Sequence, residues 1–189
     1  MKRVILSIAF SIAAIVTYAQ SGSPAIAMNR KEIRKERREQ KITLRALEGK
    51  DISDVSKQQF AIDFGNLDNV TWSRDLYYDR ADFTDDNGRH VSAFYDGEGA
   101  LVGTTRPATF DELPAAGKKD IMKHYTGYEN APVIFFDDNE ANETDMILYG
   151  TQFEDADNYF IELKDKKGNP VVLRVDMAGE VSYFSEMHQ

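Results

Sequence analysis

His90-Val-Ser-Ala-Phe-Tyr-Asp-Gly-Glu-Gly-Ala-Leu101 reads as a β-strand, a tight turn and the start of the next strand. Eighty positions later Val171-Val-Leu-Arg-Val-Asp-Met-Ala-Gly-Glu-Val181 repeats the pattern, and Asp96-x-x-Gly99 falls on Asp176-x-x-Gly179. A recurring strand–turn–strand unit marks a duplicated module. The register extends outward. At the same offset Ala81, Phe83, Val91, Ala93 and Tyr95 meet Ile161, Leu163, Val171, Leu173 and Val175. All are apolar or aromatic and alternate along their strands, so they share one face, which should lie under helices. The opposite face takes Tyr78, Arg80, Asp82, Ser92 and Phe94 in the first unit, and Phe160, Glu162, Val172 and Arg174 in the second. Burial on one side only is the mark of an antiparallel sheet covered once, leaving this second face open.

The rest of each module follows from local signals. Ser53 or Ser56 caps a helix running to about Phe64, with Val55, Gln59/Phe60 and Phe64 as its apolar stripe and Gly65-Asn66 as its stop. Strands are expected at Asn69–Ser73, Tyr77–Thr84, His90–Tyr95 and Ala100–Thr104, with Asp85-Asp86-Asn87-Gly88 closing a hairpin. Thr109/Asp111 and Pro114 announce a second helix carrying Leu113, Ala116, Ile121 and Tyr125, ended by Gly127. Strands follow at Ala131–Phe136, Tyr159–Lys164, Pro170–Val175 and Glu180–Phe184. Between the first two, a polar insertion at Asp137–Thr144 precedes an extended stretch, Asp145–Phe153. The expected fold class is α+β: two tandem helix-plus-four-stranded antiparallel units with the helices on one face. The first spans 53–106 and the second 107–189.

The N-terminal part differs in kind. Lys2 and Arg3 precede the apolar run Val4–Val16 and then Thr17-Tyr18-Ala19, the order of a secretory signal peptide over residues 1–19. The run is short of the ~20 residues a spanning helix needs. Cleavage is expected after Ala19, with Ala27 as the alternative, and export to the periplasm or medium follows. Residues 20–52 form a basic spacer with helix-favouring composition. Its Arg30–Arg45 arm either touches anionic surfaces, as a tethered envelope scaffold would, or is a solvated spacer. Residues 1–50 carry a net +7 and residues 51–189 a net −16, so the body repels nucleic-acid phosphates. With 42% hydrophobic and 11% aromatic residues, the chain has the material of a packed core.

Asn66-x-x-Asn69-Val70-x-Trp72, Tyr95-Asp96-x-x-Gly99-x-Leu101, Leu113-Pro114-x-x-x-Lys118 and Tyr125-x-Gly127-Tyr128 resemble the PepSY-like proteins with a β-lactamase-inhibitor-like fold. Those are exported proteins of Bacteroidetes-type bacteria, built from tandem helix-plus-four-strand units. The resemblance covers about residues 55–185 and is weaker in the second unit, where the insertion and Met177-Ala178 depart from the pattern. It implies a non-enzymatic binding or inhibitory module and names no target. In the fold's namesake the open sheet face grips an enzyme; carrying that target over would be analogy alone.

Catalytic equipment is sparse. With no Cys and no Gly-x-Ser-x-Gly elbow there is no evident nucleophile, and no Gly-rich phosphate cradle is present. His90, His124 and His188 lack metal-ligand spacing, so no metal or cofactor is expected. Asp82 and Glu162, at equivalent open-face positions, are the weak case for a carboxylate-dependent hydrolase. The acidic run Asp137–Asp145 has the oxygens for calcium without the EF-hand spacing, and calcium is not favoured. The open-face set Tyr78, Arg80, Phe94, Phe160 and Arg174 is the candidate partner-binding surface, since aromatics and Arg anchor protein interfaces. The alternative is that these pairs merely stabilise the sheet.

Overall fold

Ser53 opens the first helix, its Oγ accepting from the Val55 N–H at 3.2 Å. α1 runs Asp54–Asp63 and β1 Thr71–Arg74, followed by β2 (Asp79–Thr84), β3 (His90–Tyr95) and β4 (Leu101–Ala108). The computed structural model describes residues 46–187 except 155. The leader, the Arg30–Arg45 arm, most of the spacer and His188 lie outside the described residues. A 3-10 turn at Phe110–Glu112 leads to α2 (Ala115–His124). The Thr109 N–H donates to Glu112 Oε1 at 2.9 Å, satisfying a donor at the turn's entry. β5 (Val133–Asp138), β6 (Met146–Leu148), β7 (Thr151–Phe153), β8 (Asn158–Lys164), β9 (Pro170–Asp176) and β10 (Val181–Glu186) complete the chain.

The two modules share one sheet of eight strands in the order β1-β2-β3-β4-β5-β8-β9-β10, antiparallel throughout. The eighty-residue register holds pair by pair. Ala81 faces Ala93 and Phe83 faces Val91, just as Ile161 faces Leu173 and Leu163 faces Val171. All ten positions of the repeat are buried, Phe83 at 3% and Leu173 at 1% exposure. They split into one cluster with Phe60 of α1 and another with Ile121 of α2. Val55, expected in the α1 stripe, is more than half exposed, because the burden of that helix falls on Phe60 and the half-buried Phe64.

The turns repeat as well. Asp85, Asp96, Asp165 and Asp176 each accept at their carbonyl from the Gly three residues on. Each also accepts at Oδ1 from the backbone N–H four residues on. These four hairpin turns are therefore all Asp-x-x-Gly, the Gly holding positive φ.

The stretch expected to be extended, Asp145–Phe153, forms the hairpin β6–β7, paired with no strand of the large sheet. Tyr149 (φ 50°) and Gly150 (φ 71°) form its tip, and two successive positive φ angles are what a two-residue hairpin turn requires. The hairpin folds back over the helix-free side of the sheet.

Candidate functional site on the helix-free face

Cross-strand pairing sets the positions of the five candidate residues. Arg80 of β2 faces Phe94 of β3, and Phe160 of β8 faces Arg174 of β9. Across the sheet the order is Arg, Phe, two intervening strands, Phe, Arg, with the phenylalanines inward. At about 4.8 Å per strand the two arginines stand roughly 24 Å apart. Tyr78 immediately precedes β2 and its ring packs edge-on to Phe94 at 6.0 Å.

The face is not open where the aromatics stand, which corrects the expectation drawn from alternation. Tyr78, Phe94 and Phe160 are 1%, 7% and 0% exposed. Met146 and Phe153, directly paired in the β6–β7 hairpin, enter one cluster with them and with Val102, Phe136 and Val172. Phe153 stacks edge-on against Phe136 at 5.1 Å and Phe160 at 5.0 Å. The Tyr78 hydroxyl donates to the Asp145 carbonyl at 3.0 Å, and burial pushes its ionisation well above the ordinary tyrosine range. These three aromatics hold the hairpin down and are closed to a partner in this conformation. Gly103 makes room for the arrangement, since a Cβ there would meet the Phe136 ring at 2.6 Å.

Arg80 and Arg174 remain accessible, Arg80 exposed and Arg174 half-buried. Arg80 donates to Asp82. Asp82 also accepts from Ser92 Oγ and lies 4.0 Å from His90 Nε2. Toward the β2–β3 turn the helix-free face is thus a polar, uncovered surface of Arg80, Asp82, Ser92 and Thr105. Ser92 and Thr105 are a direct cross-strand pair.

The hydrolase pair does not assemble. Asp82 lies on β2 and Glu162 on β8, four strands away in the sheet order. That separation is roughly 19 Å, about twice the widest spacing of paired glycosidase carboxylates. Glu162 instead accepts from the Tyr149 hydroxyl at 2.8 Å. His124 sits at the end of α2 beside Asp120, 3.3 Å from its Oδ1. In the acidic run, Asn139 and Asn142 turn their side-chain oxygens on the N–H groups of Ala141 and Thr144. Among the described residues no three His, Asp or Glu side chains come together to hold a metal.

The residues that alternation did not single out are those of the hairpin. A signal for them exists in Met146-Ile147-Leu148-Tyr149-Gly150-Thr151-Gln152-Phe153: a Gly in mid-run divides one apparent strand into two.

No protein-family profile matches the chain, and no curated protein matches it. Solved structures do. A BLIP-like protein from Bacteroides fragilis is 16% identical with a TM-score of 0.52, over 74% of this chain and 89% of that one. A DUF2874 family protein from Bacteroides uniformis is 17% identical with a TM-score of 0.55, over 72% and 90%. Another from Bacteroides ovatus is 15% identical with a TM-score of 0.52, over 71% and 89%. The likeness is one of fold: an α+β chain with two helices against a large antiparallel sheet.

Proposed function

We propose that the chain is an exported, non-enzymatic binding module that takes a protein partner on the helix-free side of its sheet. Arg80 and Arg174 are the outlying contacts, and the β6–β7 hairpin lies between them. The observation that carries this reading is the Arg–Phe–Phe–Arg order across the sheet, which leaves a guanidinium accessible on each flank of the hairpin. Arg is among the residue types that dominate interface energetics, and here two stand out on a body of net charge −16. The BLIP-like fold of the neighbours supports the reading by analogy, as a fold whose namesake uses a sheet face for protein contact. Export is supported by the basic, apolar, small-residue order of residues 1–19.

The test is a crosslinking pull-down from the native envelope with wild type and the Arg80→Glu, Arg174→Glu double variant. Arg80 is exposed and Arg174 half-buried, so far-UV circular dichroism of the variant is compared with wild type to confirm that the fold is kept. The expected result is loss of the proteins captured by wild type. An identical captured set would rule out this face as the interface. Alanine at Phe94 or Phe160 is the wrong probe, because both rings are core residues and their loss would unpack the hairpin.

A further inference from the structure

We propose that the β6–β7 hairpin is a latched cover, and that the apolar floor beneath it is a docking surface for an apolar β-hairpin of the partner. This rests on the reading of the helix-free side as the docking side and adds how that side is regulated.

Three observations carry it. First, the eight-stranded sheet is complete without the hairpin. In the first module β1 and β2 are joined by residues 75–78, whereas in the second the equivalent β5 and β8 are joined by residues 139–157, which contain the hairpin. The hairpin adds no backbone rung to the sheet, and a two-stranded hairpin is marginal on its own. Second, its side-chain attachment has two parts, an apolar foot and a hydrogen-bonded tip. Met146 and Phe153, a direct cross-strand pair, form the apolar foot. At the tip the Tyr149 hydroxyl donates to Glu162, while the single Ser185 Oγ proton is shared between the Tyr149 carbonyl at 3.2 Å and the Glu186 carbonyl at 3.1 Å. Third, the tip is strained. Tyr149 holds a φ of 50° that Asn or Gly would adopt more cheaply. A bulky residue kept in such a conformation points to a role for its side chain, and that side chain is the latch to Glu162.

The floor under the foot comprises Tyr78, Phe94, Val102, Phe136, Phe160 and Val172, drawn from both modules. The resident occupant defines what fits there: two large apolar side chains facing each other from neighbouring antiparallel strands, with a hydrogen-bond donor at the turn reaching Glu162. A partner segment of that description would displace the hairpin by replacing its contacts.

Native-state hydrogen exchange on the full chain tests the cover without needing the partner. The amides of β6 and β7 should exchange through an opening that leaves β8 and β9 protected, with a denaturant dependence smaller than that of global unfolding. Tyr149→Phe should speed that exchange about tenfold by removing a hydrogen bond to a charged acceptor. Ser185→Ala should act in the same direction. In the Tyr149→Phe, Ser185→Ala double variant the apolar probe 1-anilinonaphthalene-8-sulfonate should bind more strongly than in wild type, with β8–β9 protection unchanged. Hairpin amides that exchange only in step with β8 and β9, in wild type and in Tyr149→Phe, would overturn the cover. Fast hairpin exchange without added dye binding would overturn the docking floor. Neither result bears on the Arg80/Arg174 contacts, which the pull-down judges separately.

Discussion

Asp79 carries the one fully buried carboxylate in the first module's core. It accepts from Arg74 Nε at 2.6 Å and Nη2 at 2.8 Å, from the Ser53 N–H at 3.0 Å and from Ser56 Oγ at 2.8 Å. Burial alone would push its carboxyl up, but the hydrogen bonds from Arg74, Ser53 and Ser56 outweigh it and hold the group below the ordinary aspartate range. The network ties the start of α1 to the β1–β2 hairpin, and Arg74 reaches on to the Glu48 carbonyl. Removing one partner of a buried pair leaves a charge without compensation, so Arg74→Met should cost about 3–5 kcal/mol. In Arg74→Met, Asp79→Asn the orphaned charge is gone and the loss should be smaller. Because the folded-state pKa is depressed, Asp79 contributes its stability above its unfolded value of about 3.9. That contribution is lost as pH falls through the folded pKa. Urea melts of Asp79→Asn should therefore lie below wild type at neutral pH and converge with it toward pH 2. A gap that is constant with pH would mean the carboxylate's charge plays no part. Part of this was legible: Asp79 shares the phase of Ala81 and Phe83, so a charge was due on the buried face. What alternation cannot supply is the partner, since Arg74 meets Asp79 across a turn whose geometry no spacing rule fixes.

Four hairpins use one Asp-x-x-Gly turn, yet the glycines do different work. At Gly88 and Gly168 an added Cβ meets nothing within 4 Å. At Gly99 it would meet Val55 Cγ1 at 2.6 Å, and at Gly179 it would meet Ala116 Cβ at 2.8 Å and the Gly117 nitrogen at 2.9 Å. Val55 and Ala116 are each the second residue of their helix, so the last turn of each module seats the first turn of α1 or α2. Alanine at Gly88 or Gly168 should cost only the left-handed strain, about 1–2 kcal/mol. At Gly179 overpacking against backbone should add about 1–3 kcal/mol. Gly99 should fall between, because the exposed Val55 side chain can turn aside. Equal losses at all four positions in urea denaturation would show that the helices do not rest on these turns. The Asp96/Asp176 repeat was readable from sequence because turn chemistry is local. The β6–β7 hairpin was not read as a cover, because its Tyr149-Gly150 turn is local information but its destination is tertiary.

At the scale of the whole molecule the seam between modules decides the behaviour. β4 was expected to end at Thr104. It runs instead to Ala108, and Thr105, Arg106, Pro107 and Ala108 pair with Phe136, Phe135, Ile134 and Val133. The residues assigned to the boundary are the ones that fuse two four-stranded units into a single sheet. The seam has company: the cluster under the hairpin draws Tyr78, Phe94 and Val102 from one module and Phe136, Phe160 and Val172 from the other. Melting either module alone would strip both, exposing a sheet edge and a set of aromatic rings in the survivor. The two should therefore unfold together. Trp72, the sole tryptophan, lies on β1 beside Phe60 and Tyr95, wholly within the first module. Leu173 lies on β9 in the second module's core. Leu173→Ala should cost about 2–5 kcal/mol. If the sheet is one cooperative unit, the Trp72 fluorescence midpoint in urea must fall as far as the midpoint from far-UV circular dichroism. A Trp72 transition that stays at its wild-type midpoint while the circular dichroism splits into two steps would show that the modules are coupled in space but not in free energy.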